Sequence, residues 1–267
     1  MTVIEESNEF VEKLTEGKGL PLFTSCCPAW VKFAENKFPD MVDNISTCKS
    51  PQQMFGSVLK EYYKNKDKEE GKETIVISVM PCTAKKAEAA REEFEHDGIR
   101  DVDIVITTQE LAFLIKEVGI IFEELEEESF DMPFGLVSGS GVIFGSTGGV
   151  TEAVVTRLLK DKPNHTTKDI MFKDVRGMEN IKEAIFDVDG IEVRLAVVHG
   201  LKNASELVKQ IKSGQRNYHF VEVMACPGGC VCGGGQPVSK RTNRGIDRSN
   251  GLYKLDRTSQ IKSSEEN

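Results

Sequence analysis

Three apolar segments, far apart in the chain, each run into cysteine. Residues 20–25 lead into Cys26-Cys27, residues 74–80 into Pro81-Cys82, and residues 219–224 into Ala225-Cys226. Strands that end in reactive residues just before a helix are the usual site geometry of parallel α/β sheets, where the carboxyl ends of strands face one crevice. Thiols about 200 residues apart in sequence are thereby expected at one place in the fold.

The remaining segments fit that architecture. Helices are expected over residues 4–16, from Pro28 and Trp30 to Lys37, from the Ser46–Gln53 stretch through Leu59 and Tyr63, from the end of a turn at 81–86 to about Phe94, and over 108–118, 144–159 and 205–213. Further strands are expected at 103–107, 170–175 and 191–198, with a helix between the last two. Residues 64–72 read as a charged turn and 123–128 as a solvated acidic loop. Strands alternating with helices predict mostly parallel sheet flanked by helices. The expected arrangement is one domain over 1–267, with lobes near 1–125 and 126–240, a site between them, and a polar tail at 241–267 that docks only in part around Leu252, Tyr253 and Leu255.

Charge and hydropathy exclude several classes. A formal net charge of −9 argues against nucleic acid as a partner, since phosphate binding needs a concentrated basic surface. The dense basic run, 240–248, is short, and reads either as a face for an acidic redox partner or as a solvated tail. No run of 18 apolar residues implies a membrane span, and the first residues lack the basic and apolar regions of a secretory signal. Seven cysteines, five of them clustered at 26–27 and 226–232, suit thiols kept reduced in a cytoplasm better than a disulfide framework.

The stretch 222–237 holds Cys226, Cys230 and Cys232 among five glycines and two prolines. Glycines allow the positive φ and close approach that a loop around a bulky ligand requires. With Cys27 and Cys82, its pair Cys226 and Cys230 supplies the four thiolates of a [4Fe–4S] cubane. Structural zinc sites draw on short local knuckles instead, so iron–sulfur is the better reading. Met80 and Met224, each two residues before a cysteine, add soft apolar walls. Residues 144–150 are rich in glycine but lack the lysine of a phosphate-binding loop, which favours packing against a cofactor over nucleotide binding.

Thr24-Ser25-Cys26-Cys27-Pro28-Ala29-Trp30, Met80-Pro81-Cys82-Thr83-Ala84-Lys85-Lys86-Ala87-Glu88, and Glu222-Val223-Met224-Ala225-Cys226-Pro227-Gly228-Gly229-Cys230 with its Gly-Gly-Gly-Gln-Pro tail resemble the three signatures of [FeFe]-hydrogenases in order and spacing. Phe144 to Ala153 and Val175-Arg176-Gly177 resemble that family too. The resemblance covers nearly the whole chain. It implies an H-cluster, a [4Fe–4S] cubane joined to a di-iron subcluster with CO, cyanide and a bridging dithiolate. Carried over by position, Cys27, Cys82, Cys226 and Cys230 ligate the metal, and Cys26 is the proton donor and acceptor. Lys85 would hydrogen-bond a cyanide, and Met80, Met224, Gln52 and Phe144 would line the pocket. A proton route is implied from Cys26 through Glu9 and Ser46 to Glu6.

The implied activity is 2H⁺ + 2e⁻ ⇌ H2 in anaerobic, cytoplasmic hydrogen metabolism. Ferredoxin or a similar carrier would be the electron donor, and H-cluster maturation proteins further partners. Alternatives within the same fold are a redox or H2 sensor, an iron–sulfur assembly relative, or a subunit completed by a partner chain. Assembly relatives usually lack the Cys26-type thiol and the Gly-Gly-Gly-Gln-Pro tail, both present here. Three departures from the family pattern are a start just before the proton-route helix, a cysteine at position 232, and no ferredoxin-type cysteine run. The first predicts a side left open, the second an extra thiol near the cluster, and the third no accessory clusters.

Overall fold

The computed structural model describes residues 1–136, 138–159, 180–188 and 190–259. In chain order the helices and strands are α1 (Thr2–Glu16), β1 (Leu22–Phe23), α2 (Pro28–Lys37), α3 (Pro51–Glu70), β2 (Ile77–Met80), α4 (Ala84–Ala89), β3 (Glu95–His96), β4 (Ile99–Arg100), β5 (Ile104–Thr107), α5 (Thr108–Glu117), α6 (Gly139–Val142), α7 (Gly149–Leu159), β6 (Ile181–Val188), β7 (Ile191–His199), α8 (Leu201–Lys212), β8 (Phe220–Met224) and α9 (Arg244–Thr258).

Local chemistry sets several boundaries. Gly17 ends α1 in a left-handed conformation at φ 64°. Ser50 caps α3 by accepting from the Gln53 N–H, with Pro51 in the first turn, and Thr107 and Glu110 form a reciprocal capping box on α5.

The larger sheet has the order β1-β8-β7-β6, and β2 and β5 form a second, parallel pair. β1, β8 and β7 are parallel, while β6 returns antiparallel to β7 over eight residue pairs. Through β1, Leu22 and Phe23 sit beside Phe220 and Val221. The N-terminal residues thus build the same sheet as the C-terminal half, and the two sheets interleave along the chain instead of dividing near residue 125. Phe10, Leu22, Phe23, Trp30, Leu195 and Phe220 are almost wholly buried around this sheet. Each such side chain contributes about 1.5–3 kcal/mol on burial. The ends of β1 and β8 are therefore rigid mounts for the cysteines that follow.

Several expectations are corrected. Residues 181–188 form a strand rather than a helix, with Lys182, Ala184 and Phe186 turned inward in strict alternation. The charged segment beginning at 64 continues α3 to Glu70, because nothing breaks the helix before Gly71. α4 stops at Ala89, and a short antiparallel pair, β3–β4, follows. α8 begins at Leu201 after Gly200, a full turn before the start expected at 205. The strand expected at 170–175, and Val175-Arg176-Gly177 beside it, lie outside the described residues.

The strand over 74–80 is shorter than expected and buried on one face only. Val76 is buried, but Ile77 is 56% and Val79 43% exposed, with Ile104 of β5 46% exposed beside them. Among the described residues no helix is long and apolar enough to cross a membrane.

Candidate active site

The cysteine loop leaves β8 and is held from four sides. Gly228 donates its N–H to His199 Nδ1 at 3.1 Å, so the buried His199 is a neutral ring with its proton on Nε2. Gly229, at φ 87°, passes so close to residues 145–147 that a Cβ there would lie 2.7 Å from the Thr147 nitrogen. Farther along, a Cβ on Gly235 would lie 2.7 Å from the Cys82 nitrogen, and one on Gly233 2.1 Å from the Pro81 oxygen. Hydrogen bonds from Gly235 N–H to the Pro81 carbonyl (3.0 Å) and from Gln109 N–H to the Gly235 carbonyl (2.9 Å) tie the loop to the other sheet. The glycines are therefore contact surfaces between the two cysteine-bearing segments.

The fourth support comes from α9. Arg248 donates to the carbonyls of Val231 (2.9 Å) and Pro237 (2.8 Å), and Leu252 fills the space a Cβ on Gly145 would need. The basic run thus turns one guanidinium inward, and the segment expected as a part-docked tail is a helix clamping the loop. Sequence reasoning missed Arg248 and His199 as site residues; their partners are backbone groups, which leave no pattern in the sequence.

Cys27, Cys82, Cys226 and Cys230 meet at this junction. The thiols of Cys27, Cys226 and Cys230 each feel the charge of Cys82, and those of Cys226 and Cys230 also that of Cys27. The Ala225 N–H donates to Cys27 Sγ at 3.4 Å. Burial pushes the Cys27 and Cys226 thiols up, and that of Cys230 up to about 12, with neighbouring thiolates adding to the effect. Such a cluster is hard to ionise on its own and readily ionised by bound metal, which deprotonates a coordinating thiol. Among the described residues no three His, Cys, Asp or Glu side chains converge on a single metal ion. Four thiols from three segments match instead the donor set of an iron–sulfur cubane. Ser146 Oγ and Thr147 Oγ1, packed against the loop, are buried with no partner among the described residues and fit a group carrying hydrogen-bond acceptors. Cys232 closes the short helical turn begun by Cys230, and its thiol faces Cys226 electrostatically.

Cys26 stands beside this set. Burial holds its thiol well above the ordinary range, and the charges of Glu6 and Cys27 reinforce that against Lys85. Lys85 is buried, with Nζ 3.0 Å from the Cys26 carbonyl and 2.9 Å from Glu88 Oε1. Gln52 bridges its amide to Glu88 and the Lys85 carbonyl and accepts from Ser78. A fixed cation is thus oriented by three segments. Met224 is buried in the main core, Phe144 packs at its edge, and Met80 lies against the smaller cluster around Val76 and Val105.

Glu6, Ser46 and Glu9 form a file from the interior outward. Glu6 is 1% exposed, and neither carboxyl oxygen has a partner among the described residues. Desolvation, then the charges of Glu222 and Glu9, raise its pKa to about 8. Glu9 lies nearer the surface, in contact with Lys13 at 3.2 Å. Burial would raise its carboxyl, but hydrogen bonds from Ser46 Oγ (2.6 Å), the Thr47 N–H and Lys13 hold it below the usual range. The order implied by the resemblance, with Glu9 next to Cys26 and Glu6 outermost, is therefore reversed. Cys48, 3.6 Å from Glu9 Oε2, is a further thiol at this outer end, where Ser25, Ser46 and Lys49 line a cavity of about 320 Å³.

The glycine-rich loop before α7 has its own anion. Glu222 Oε1 accepts from the Gly148 N–H (2.7 Å), and Oε2 from the Thr151 N–H (2.8 Å) and hydroxyl (2.9 Å). A buried protein carboxylate thus takes the place that a phosphate would take at a helix N-terminus.

Comparison with known proteins accounts for this arrangement. Residues 1–234 match the family described as iron only hydrogenase large subunit, C-terminal domain. The NADP-reducing hydrogenase subunit HndD of Solidesulfovibrio fructosivorans is 49% identical over 243 residues, covering 89% of this chain and 41% of that protein. Iron hydrogenase 1 of Clostridium pasteurianum is 43% identical over 272 residues, covering 100% and 47%. The cytosolic iron-sulfur assembly component 3 of Rattus norvegicus is similar at 34% over 246 residues, covering 88% and 52%. The chain spans about half the length of these curated relatives. A variant of [FeFe]-hydrogenase HydA1 from Chlamydomonas reinhardtii superposes with a TM-score of 0.79 at 36% identity, covering 100% of this chain and 75% of that one. The chain belongs to the [FeFe]-hydrogenase family and corresponds to its H-cluster domain.

Proposed function

We propose that the chain catalyses reversible proton reduction, 2H⁺ + 2e⁻ ⇌ H2. The observation that carries this reading is the thiol of Cys26, protonated by burial and placed beside both the four-cysteine junction and the buried Lys85. Cys27, Cys82, Cys226 and Cys230 would hold a [4Fe–4S] cubane with an attached di-iron unit, which when bound supplies electron transfer and the site of proton reduction. Lys85 would orient an anionic diatomic ligand, and Gln52, Glu88 and the Cys26 carbonyl keep its ammonium in place. Met80, Met224 and Phe144 would keep water away. Cys26 holds the proton nearest the cluster, and Glu6, Ser46 and Glu9 lead outward to Lys13.

Electrons would come from a ferredoxin-like carrier and the di-iron unit from maturation proteins, in a reducing cytoplasm; one similar protein is named as a periplasmic [Fe] hydrogenase large subunit. The test is infrared spectroscopy of the matured protein with an H2 assay using a reduced low-potential donor. Bands of CO and cyanide with H2 turnover are expected. Bands without turnover would favour a sensor, and no bands would favour the assembly reading. The bare face of Ile77, Val79 and Ile104 favours completion by a further segment or subunit, since parallel sheets are normally covered on both faces.

A further inference from the structure

The rings of Phe10 on α1 and Phe220 on β8 lie 5.2 Å apart and fix those two elements against each other. Glu6 lies one turn before Phe10 on the same helix face, and Glu222 lies two residues beyond Phe220 on the same sheet face. Two carboxyls, 1% and 0% exposed, are thereby placed at one interface, and the charge of Glu222 is the largest acting on Glu6. Close carboxyls in a dry site do not both ionise.

Their surroundings differ. Burial raises both carboxyls, but that of Glu222 is drawn back down by three donors at the positive end of α7 and by the charge of Lys182 on β6. Glu6 receives no donor among the described residues. The other titratable groups facing it are Glu9 on its own helix, Cys26 from the loop after β1 and Cys48 from the loop before α3, none of them cationic. Glu152 on α7, which also packs on α1, has a partner of its own.

We propose that Glu222 is a positioning residue of the proton route: it keeps the negative charge at the head of α7 and so leaves the proton on Glu6, facing Cys26. The inference rests on the reading of Cys26 as a proton carrier. In a transfer the Glu6 O–H bond breaks as the acceptor's forms, and Glu6 is reprotonated from the Ser46–Glu9 end. Glu222 itself neither gains nor loses a proton.

The test uses the full chain without cluster, following the infrared carbonyl stretch of protonated carboxyls against pH. A band lost near pH 8 is expected, absent in Glu6→Gln and present in Glu222→Gln with its midpoint at least about tenfold lower in proton affinity. A band that survives Glu6→Gln but vanishes in Glu222→Gln would put the proton on Glu222 and overturn the proposal. So would an unmoved midpoint in Glu222→Gln. Should Glu222→Gln fail to fold, Thr151→Val removes one hydroxyl donor from Glu222 and must lower the Glu6 midpoint, by less. An unmoved midpoint there also overturns the proposal. CO and cyanide bands and turnover in the matured protein test the hydrogenase reading separately, because the carboxyl titration needs no cluster.

Discussion

Replacing Glu6 with glutamine is expected to stabilise the chain, by more as the pH rises. The folded carboxyl titrates near 8, against an ordinary value of 4.5. Below 4.5 the group is protonated whether the chain is folded or not, and the site costs nothing. As the pH climbs, the unfolded chain releases the proton while the folded chain keeps it, so stability falls until the folded group also ionises near 8. At about 1.4 kcal/mol per tenfold change in proton affinity, the full penalty is on the order of 5 kcal/mol above pH 8, and about 3 kcal/mol at pH 7. Glutamine keeps the shape and neutrality of the protonated acid and does not titrate. Urea unfolding of both proteins without cluster, followed by circular dichroism between about pH 5 and about pH 9, measures the difference. Convergent stabilities at the acid end and a widening gap above it are expected. Parallel curves, or a glutamine variant less stable throughout, would refute the assignment of a proton to Glu6.

Cys26→Ala is expected to keep iron, CO and cyanide signals and lose most H2 turnover, whereas Cys27→Ala loses or converts the cubane; iron content and infrared spectra decide. Arg248→Ala removes two charge-assisted bonds to the cysteine loop and is expected to cost about 2 kcal/mol in unfolding free energy, with weaker retention of reconstituted iron. Gly235→Ala forces a Cβ to 2.7 Å from the Cys82 nitrogen and is expected to cost about 1–3 kcal/mol, again with poorer iron retention; wild-type iron binding would show that the junction yields. Cys232→Ala is expected to leave the infrared bands unchanged, and a shifted spectrum would assign that thiol a direct part in the cluster site.

The junction of cysteines was legible because each ligand-bearing turn follows a short apolar run that announces a strand. The start of α3 was legible, since Ser50 lies within the 46–53 stretch expected to open it, whereas the box of Thr107 and Glu110 was passed over although each needs only the other. β6 was not legible, because Lys182 occupies an inward position and disguises an alternation that Ala184 and Phe186 otherwise display. Arg248 was read with its basic neighbours, since its partners are carbonyls more than ten residues away. The order of Glu6 and Glu9 depends on which side of α1 meets β8, and residues three apart on one helix give no sign of depth.

β1 is only two residues long, yet it is paired with a strand nearly two hundred positions later. A nascent chain in which residues 220–224 have not yet been made has no neighbour for Leu22 and Phe23, no lid over Phe10 and no second carboxyl beside Glu6. Cys26, Cys27 and Cys82 leave the ribosome first and wait for Cys226 and Cys230 to follow before the four thiols can meet. Metal offered during synthesis meets scattered cysteines, and metal offered afterwards meets a finished socket. The topology thus makes cofactor loading a step that follows folding.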